Sequence, residues 1–227
     1  MNSRKRPFLA KVGKWLTECI RSIKLALYKA DCISQGDYLK ENMNFTFNPR
    51  KSAQAGAYLL KLNGGDMDKY KWIKMLYWSD RESLAKWNEP ITGDRPVSMP
   101  HGQVLETVYD LTKSGTLPSI KQIWGKYISD ADEENRVSLN NDPGVDELSR
   151  AEIAILESTY AKFKDFTFGR LKKFFAELAE HENVEGTSKV LPIERILKAL
   201  GKTEDQIQEA EKEQNDIRLT DMILGGG

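Results

Sequence analysis

The chain has 227 residues, 40% of them hydrophobic, with five Trp, eight Tyr and eight Phe, which suffices for a packed core and excludes wholesale disorder. Lys plus Arg and Asp plus Glu are 34 each, so no global field draws the chain to nucleic acid or to an anionic surface. The balance hides an asymmetry: residues 1–51 carry eleven basic and four acidic side chains, and residues 52–227 carry the compensating acidic excess.

Residues 7–33 place Phe8, Val12, Trp15, Leu16, Cys19, Ile20, Ile23 and Leu27 at steps of three and four with basic residues between them, an amphipathic helix opened by Pro7. Lys11, Lys14, Glu18, Arg21 and Lys24 interrupt its apolar face, which a secretory leader does not tolerate. No run approaches the ~18 apolar residues of a membrane span. The chain is therefore expected in the cytoplasm. Ser34–Phe47 is polar and irregular and reads as a linker, so residues 1–47 are expected to form an N-terminal extension, residues 48–183 the main domain and residues 184–227 the C-terminal helices with a glycine tail.

Asn48-Pro49 opens the next helix, Asn as cap and Pro at the first helical position. It runs to about Leu62, where Asn63-Gly64-Gly65 stops it with the left-handed conformation that glycine supplies. A helix from about Asp68 to Trp87 follows. Between Tyr70 and Trp78 only Lys71 and Lys74 are charged, so this helix is apolar nearly all round and belongs in the middle of the fold. Asn88–Gly93 is a turn, Arg95–Met99 a short extended stretch, and His101–Lys113 reads as helix. Trp124–Ser129 and Arg136–Asn140 alternate apolar and polar around an acidic turn, the pattern of a β-hairpin. Ser149 and Glu152 form a capping box for a helix to about Lys164. Thr167 opens another through Glu180, Pro192–Leu200 ends at Gly201, and Thr203 with Gln206 caps a last, mostly charged helix. The fold class is mainly α: about seven helices around Asp68–Trp87, with a small β-hairpin or three short strands.

Candidate chemistry is sparse. His101 and His181 are the only histidines, and Cys19 and Cys32 the only cysteines, so neither a zinc spacing nor a disulfide framework is available. No Gly-x-Ser-x-Gly elbow appears, and Asn63-Gly64-Gly65 lacks the Gly-Lys-Ser/Thr of a phosphate loop. No cofactor, metal or catalytic residue is assigned, and the expectation is a binding protein, not an enzyme. Asp80 is the notable polar residue. It lies on the core-facing stripe Ile73, Tyr77, Asp80, Leu84, Trp87, where a carboxylate must be paired or hydrogen-bonded. Arg95 is the natural partner in a structural clasp, with Arg81 or backbone amides as substitutes.

The LNGG turn, the helix around YWSDRESLAKW, the elbow ITGDRPVSMPHG and the later DPGVDELS together resemble the Panacea domain of SocA-like and GepA-like antitoxins, over roughly 48–168. That resemblance implies an antitoxin that binds a cognate toxin directly, the toxin being encoded by the adjacent gene. A proteolytic adaptor that hands the toxin to a protease or chaperone is the alternative, and a membrane-associated or phage-defence accessory protein is the other. The elbow Thr92, Gly93, Asp94, Arg95, Met99, Pro100, His101 and Gly102 is the implied toxin-binding segment. In the relatives the His101 position is aromatic, usually Tyr, and a Thr-His and Trp-bearing segment follows, for which this chain offers only His181. Phe8, Lys11 and Trp15 on the extension have three readings: packing on the domain, contact with a partner protein, or contact with anionic lipid. Nucleic acid is disfavoured, since within the core only Arg170, Lys172 and Lys173 cluster.

Overall fold

The computed structural model describes residue 43, residues 45–182, residue 184 and residues 188–224. The amphipathic segment 7–33, the linker before Met43 and the final glycines lie outside the described residues, and with them Phe8, Lys11 and Trp15. The described residues fall in a unit that begins at Met43. Among them are eight helices and five short strands, the mainly helical class read from the sequence.

Helix α1 (Pro49–Leu62) starts where Asn48 accepts a hydrogen bond from the Lys51 amide at 3.0 Å. It ends in a Schellman arrangement: Gly64, at φ +88°, and Gly65 donate back to the Lys61 and Leu60 carbonyls at 3.2 and 2.8 Å. Strand β1 (Asp66–Asp68) leads directly into α2 (Lys69–Trp87), whose first turn Asp68 caps through the Lys71 amide at 2.9 Å. Helix α2 buries every residue from Trp72 to Asp80. It is the axis of the molecule, touching α1 and β1 before it and a strand and three helices later in the chain. The left-handed Asn88, φ +57°, ends it.

Strands β2 (Pro96–Met99) and β3 (Gly102–Leu105) form an antiparallel hairpin in which Val97 faces Val104. The expected helix over His101–Lys113 is thus shortened to α3 (Glu106–Leu111). Gly102, at φ +91°, turns the chain after His101, and pairing with β2 overrides the helical preference of the residues behind it.

The expected hairpin over Trp124–Asn140 also needs correction. Trp124 closes a helix, α4 (Pro118–Trp124), and strand β4 (Arg136–Ser138) pairs with β1 instead, Met67 opposite Val137. The steps from Trp124 to Tyr127 and Ile128 suit a helical turn as well as they suit a strand, and β1 offers β4 an edge plus an Asp66–Arg136 ion pair. The outer part of the expected hairpin is kept: Ile128 bridges Leu139, Ser129 donates to the Ser138 carbonyl at 2.9 Å, and Asn140 donates to the Tyr127 carbonyl at 2.7 Å.

Helix α5 (Arg150–Phe163) carries the capping box as expected, Ser149 and Glu152 bonded reciprocally. Helix α6 (Phe168–Ala176), capped by Thr167, stops one turn earlier than Glu180, which lets the chain fold back beneath α2. Strand β5 (Lys189–Val190), not expected, adds to the outer edge of β2 with Val190 opposite Val97. Helices α7 (Ile193–Ala199) and α8 (Glu204–Leu224) follow, and Thr203 and Gln206 bond each other's backbone amides at the start of α8.

The core runs along both sides of α2. On one side Trp78, Phe163, Phe174 and Phe175 pack largely edge to face with centroids 5.2–6.3 Å apart. On the other, Trp72 meets Trp124, and its indole nitrogen donates to the Gly56 carbonyl of α1 at 3.0 Å. A Cβ on Gly56 would stand 2.6 Å from the Trp72 ring, which that hydrogen bond pins in place. Gly56→Ala, which in an open helix stabilises by about 0.5–1 kcal/mol, is expected here to destabilise by about 1–3 kcal/mol in denaturant unfolding.

Candidate functional site

The elbow is built around two buried carboxylates. Asp80, 3% exposed near the C-terminal end of α2, accepts from the backbone amides of Ile91 and Thr92, each at 3.0 Å, and from the Thr92 hydroxyl. Burial pushes its pKa up to about 7, against the pull of these donors and with a further upward push from Asp94. Thr92 in turn accepts from the Asp94 amide at 3.1 Å through its hydroxyl, and its carbonyl receives the Asn48 amide at 3.1 Å. Asp94, equally buried, accepts from the Thr107 and Val108 amides at 3.1 and 2.8 Å and so caps α3, whose own N-cap position is Leu105. Burial raises its pKa as well. Gly93, at φ +68°, sits where a Cβ would strike the Thr46 carbonyl oxygen at 2.1 Å.

The clasp expected between Asp80 and Arg95 is replaced by two separate arrangements. Asp80 takes the backbone amides that stood as substitutes, while Arg95 lies on the surface and pairs with Glu106. Arg81 faces the other way. It forms a bidentate pair with the fully buried Glu180 at 2.5 and 3.2 Å, and the Tyr77 hydroxyl donates to the same carboxylate at 3.1 Å. The physical reason is helical phase: Asp80 and Arg81 stand about 100° apart on α2, so one serves the elbow and the other the segment after α6.

Of the elbow residues, Thr92, Asp94 and Gly102 are buried, Gly93 and Met99 half-buried, and Arg95, Pro100 and His101 exposed. Pro100 and His101 stand at the rim of a cleft of about 420 Å³ between the β2–β3 turn, the first turns of α2 and the start of α6. Tyr70, Ile73, Lys74, Met99, Tyr109 and Phe168 are prominent in its walls. The Tyr70 hydroxyl donates to the His101 carbonyl at 2.8 Å and fixes the turn. Phe168, 54% exposed, packs its ring 4.6 Å from Tyr70 and 6.5 Å from His101. The sequence reading missed Tyr70, Lys74 and Phe168 as site residues. The one available signal was Lys74 inside the apolar run of α2. His181, the proposed counterpart of the relatives' Thr-His segment, lies 3.2 Å from the Gln103 amide nitrogen.

The DPGVDELS motif is tied to α1. Gln54 bonds the Pro143 carbonyl and Asp146 and receives the Glu147 amide, Arg50 pairs with Asp146, and Lys61 pairs with Asp142. Among the described residues no group of three His, Cys, Asp or Glu is placed to hold a metal, and no helix is long and apolar enough to cross a membrane.

These features define a helical platform that presents a rigid turn and an aromatic-rimmed cleft. Residues 73–180 match the family described as Antitoxin SocA-like, Panacea domain, so the central part of the chain is similar to the family that its motifs resemble. That family is antitoxin-like and not a known enzyme class. The match covers the elbow, the cleft walls from Ile73 to Phe168, and Glu180, and leaves α1 outside it. No curated protein and no solved structure matches the chain.

Two stability outcomes test the geometry. Asp80→Ala leaves two buried amides and a hydroxyl without their acceptor and is expected to cost about 3–5 kcal/mol, so an unchanged denaturation midpoint would contradict the assignment. Lys74 is fully buried, and burial lowers its pKa to about 7. A depressed lysine destabilises the fold below its folded pKa, and this penalty fades as pH rises toward its unfolded value of ~10.4. Lys74→Met is therefore expected to melt higher than the parent near pH ~6, with the gap closing by pH ~10.

Proposed function

We propose that this chain is the antitoxin of a toxin–antitoxin pair, which binds and neutralises a toxin encoded by the adjacent gene through direct, stoichiometric contact. The match of residues 73–180 to the SocA-like Panacea family carries this reading. The site supports it physically. A loop anchored on buried carboxylates loses little freedom when it is bound, so contact with its exposed Pro100 and His101 is not offset by ordering. Beside them the exposed Phe168 supplies an aromatic anchor of the kind that dominates protein interfaces. Thr92, Asp94 and Gly102 then act beneath the surface, with the half-buried Gly93, as the frame that holds Met99, Pro100 and His101 in position. The N-terminal extension, with Phe8, Lys11 and Trp15, is the segment we assign to toxin-specific contact. The cytoplasm is the compartment this activity requires.

The test is growth rescue on co-expression with the neighbouring gene, with both proteins followed by immunoblot. The neighbour alone is expected to arrest growth, and this chain to restore it with the toxin band persisting. A vanishing toxin band would identify a protease adaptor instead, and a harmless neighbour would remove the paired-antitoxin reading. The double variant His101→Asp and Phe168→Asp changes two exposed side chains, the second at the first position of α6, where an acidic residue is tolerated. It is expected to keep the parent melting curve and to lose neutralisation by tenfold or more in toxin dose, about 1.4 kcal/mol of binding.

A further inference from the structure

Lys74 is out of place in a structural sense. It lies on α2 between Ile73 and Met75, is fully buried, and its Nζ has a single hydrogen-bond acceptor among the described residues, the Gln103 carbonyl at 2.5 Å. The rings of Tyr70 and Phe175 flank it, each with its centroid 5.2 Å from Nζ. An ammonium group has three donors, and the other buried charges among the described residues are met differently: Glu180 by a bidentate arginine, Asp80 and Asp94 by backbone amides. Uncompensated charge inside a protein is costly and disappears readily by substitution, since Met or Leu would fill the same space without penalty.

The place where Lys74 sits supplies a reason for it. Lys74 and Gly102 both line the 420 Å³ cleft, and a Cβ on Gly102 would stand 3.0 Å from the Phe175 Cβ and 3.1 Å from Nζ, so a side chain there would add a layer between the cleft and the buried ammonium. The remaining walls are chiefly apolar or aromatic: Ile73, Met99, Val104, Tyr109 and Phe168. Besides Lys74 the lining carries Asp68, Lys69 and His101, and the Asp68 carboxylate already caps α2. A phosphate would meet too little positive charge here. A single-charge anion on a flat apolar body matches both the wall chemistry and the volume.

We propose that this cleft is a binding site for a carboxylate carried on a ring-sized apolar body, with Lys74 as its counter-ion. The source is a free aromatic acid or an acidic side chain beside an aromatic residue on a protein partner. The site does not depend on the antitoxin reading and is tested without a toxin.

The experiment follows the ε-carbon resonance of Lys74 in the full chain at pH ~6, where the amine is protonated, identified by its loss in Lys74→Met, while benzoate is added. Benzamide serves as the uncharged match, and acetyl-Phe-Glu-amide and acetyl-Phe-Gln-amide form the peptide arm. Benzoate is expected to shift the resonance saturably with a Kd of about 1 mM or tighter and to bind at least about tenfold more tightly than benzamide. Discrimination between the Glu and Gln peptides would identify a protein side chain as an occupant, and binding of benzoate alone would identify a small-molecule site. Equal binding of benzoate and benzamide, absence of saturation by either acid, or undiminished benzoate binding to a folded Lys74→Met variant, read by displacement of the Phe168 ring signals, would overturn the proposal. If Lys74→Met fails to fold, the comparison of benzoate with benzamide on the parent chain decides alone.

Discussion

The Asp80 carboxylate is the interaction on which the elbow depends. A charge taken out of water needs several donors, and the chain supplies them by wrapping Ile91 and Thr92 around it. Once Thr92 is held, its hydroxyl orients the Asp94 amide and its carbonyl binds the start of α1. Asp94 then closes the first turn of α3. One acid on the central helix thus sets the loop, the strand hairpin behind it and the helix after that, through donors supplied mostly by backbone. A segment with few apolar side chains of its own is in this way tied to the core by hydrogen bonds.

The third buried acid, Glu180, does comparable work on another face of α2. Arg81 and Tyr77 from α2 draw in the segment that follows α6, and His181 is brought beside Gln103. The cleft lies on the same central helix, with α2 and β3 contributing to its floor and the start of α6 to its rim.

Much of the helical framework was legible in the sequence. Asn48-Pro49, the Gly64-Gly65 stop, the Ser149–Glu152 box and the Thr203–Gln206 pair are local signals with local causes, and the helices they bound form where they indicate. The continuous apolar run marked α2 as central for the same kind of reason. The strands were less legible, because β1, β4 and β5 are two or three residues long and exist only by pairing with distant partners. Asp80 was recognisable as a buried acid with backbone amides among its candidate partners, but Arg95 was preferred because nearness in sequence does not reveal which way a side chain points. Lys74 was visible as a charge in an apolar helix, and nothing in a linear pattern shows that it ends at a cleft.

The position of β5 has a temporal meaning. Strand β2 is flanked on one side by β3, a few residues away, and on the other by β5, where Val97 pairs with Val190. On a ribosome that emits roughly 5–20 residues per second, the elbow emerges seconds before the strand that covers its outer edge. During that interval β2 presents an open edge. Completion of the sheet waits until Lys189 and Val190 have been made, long after the hairpin that they extend.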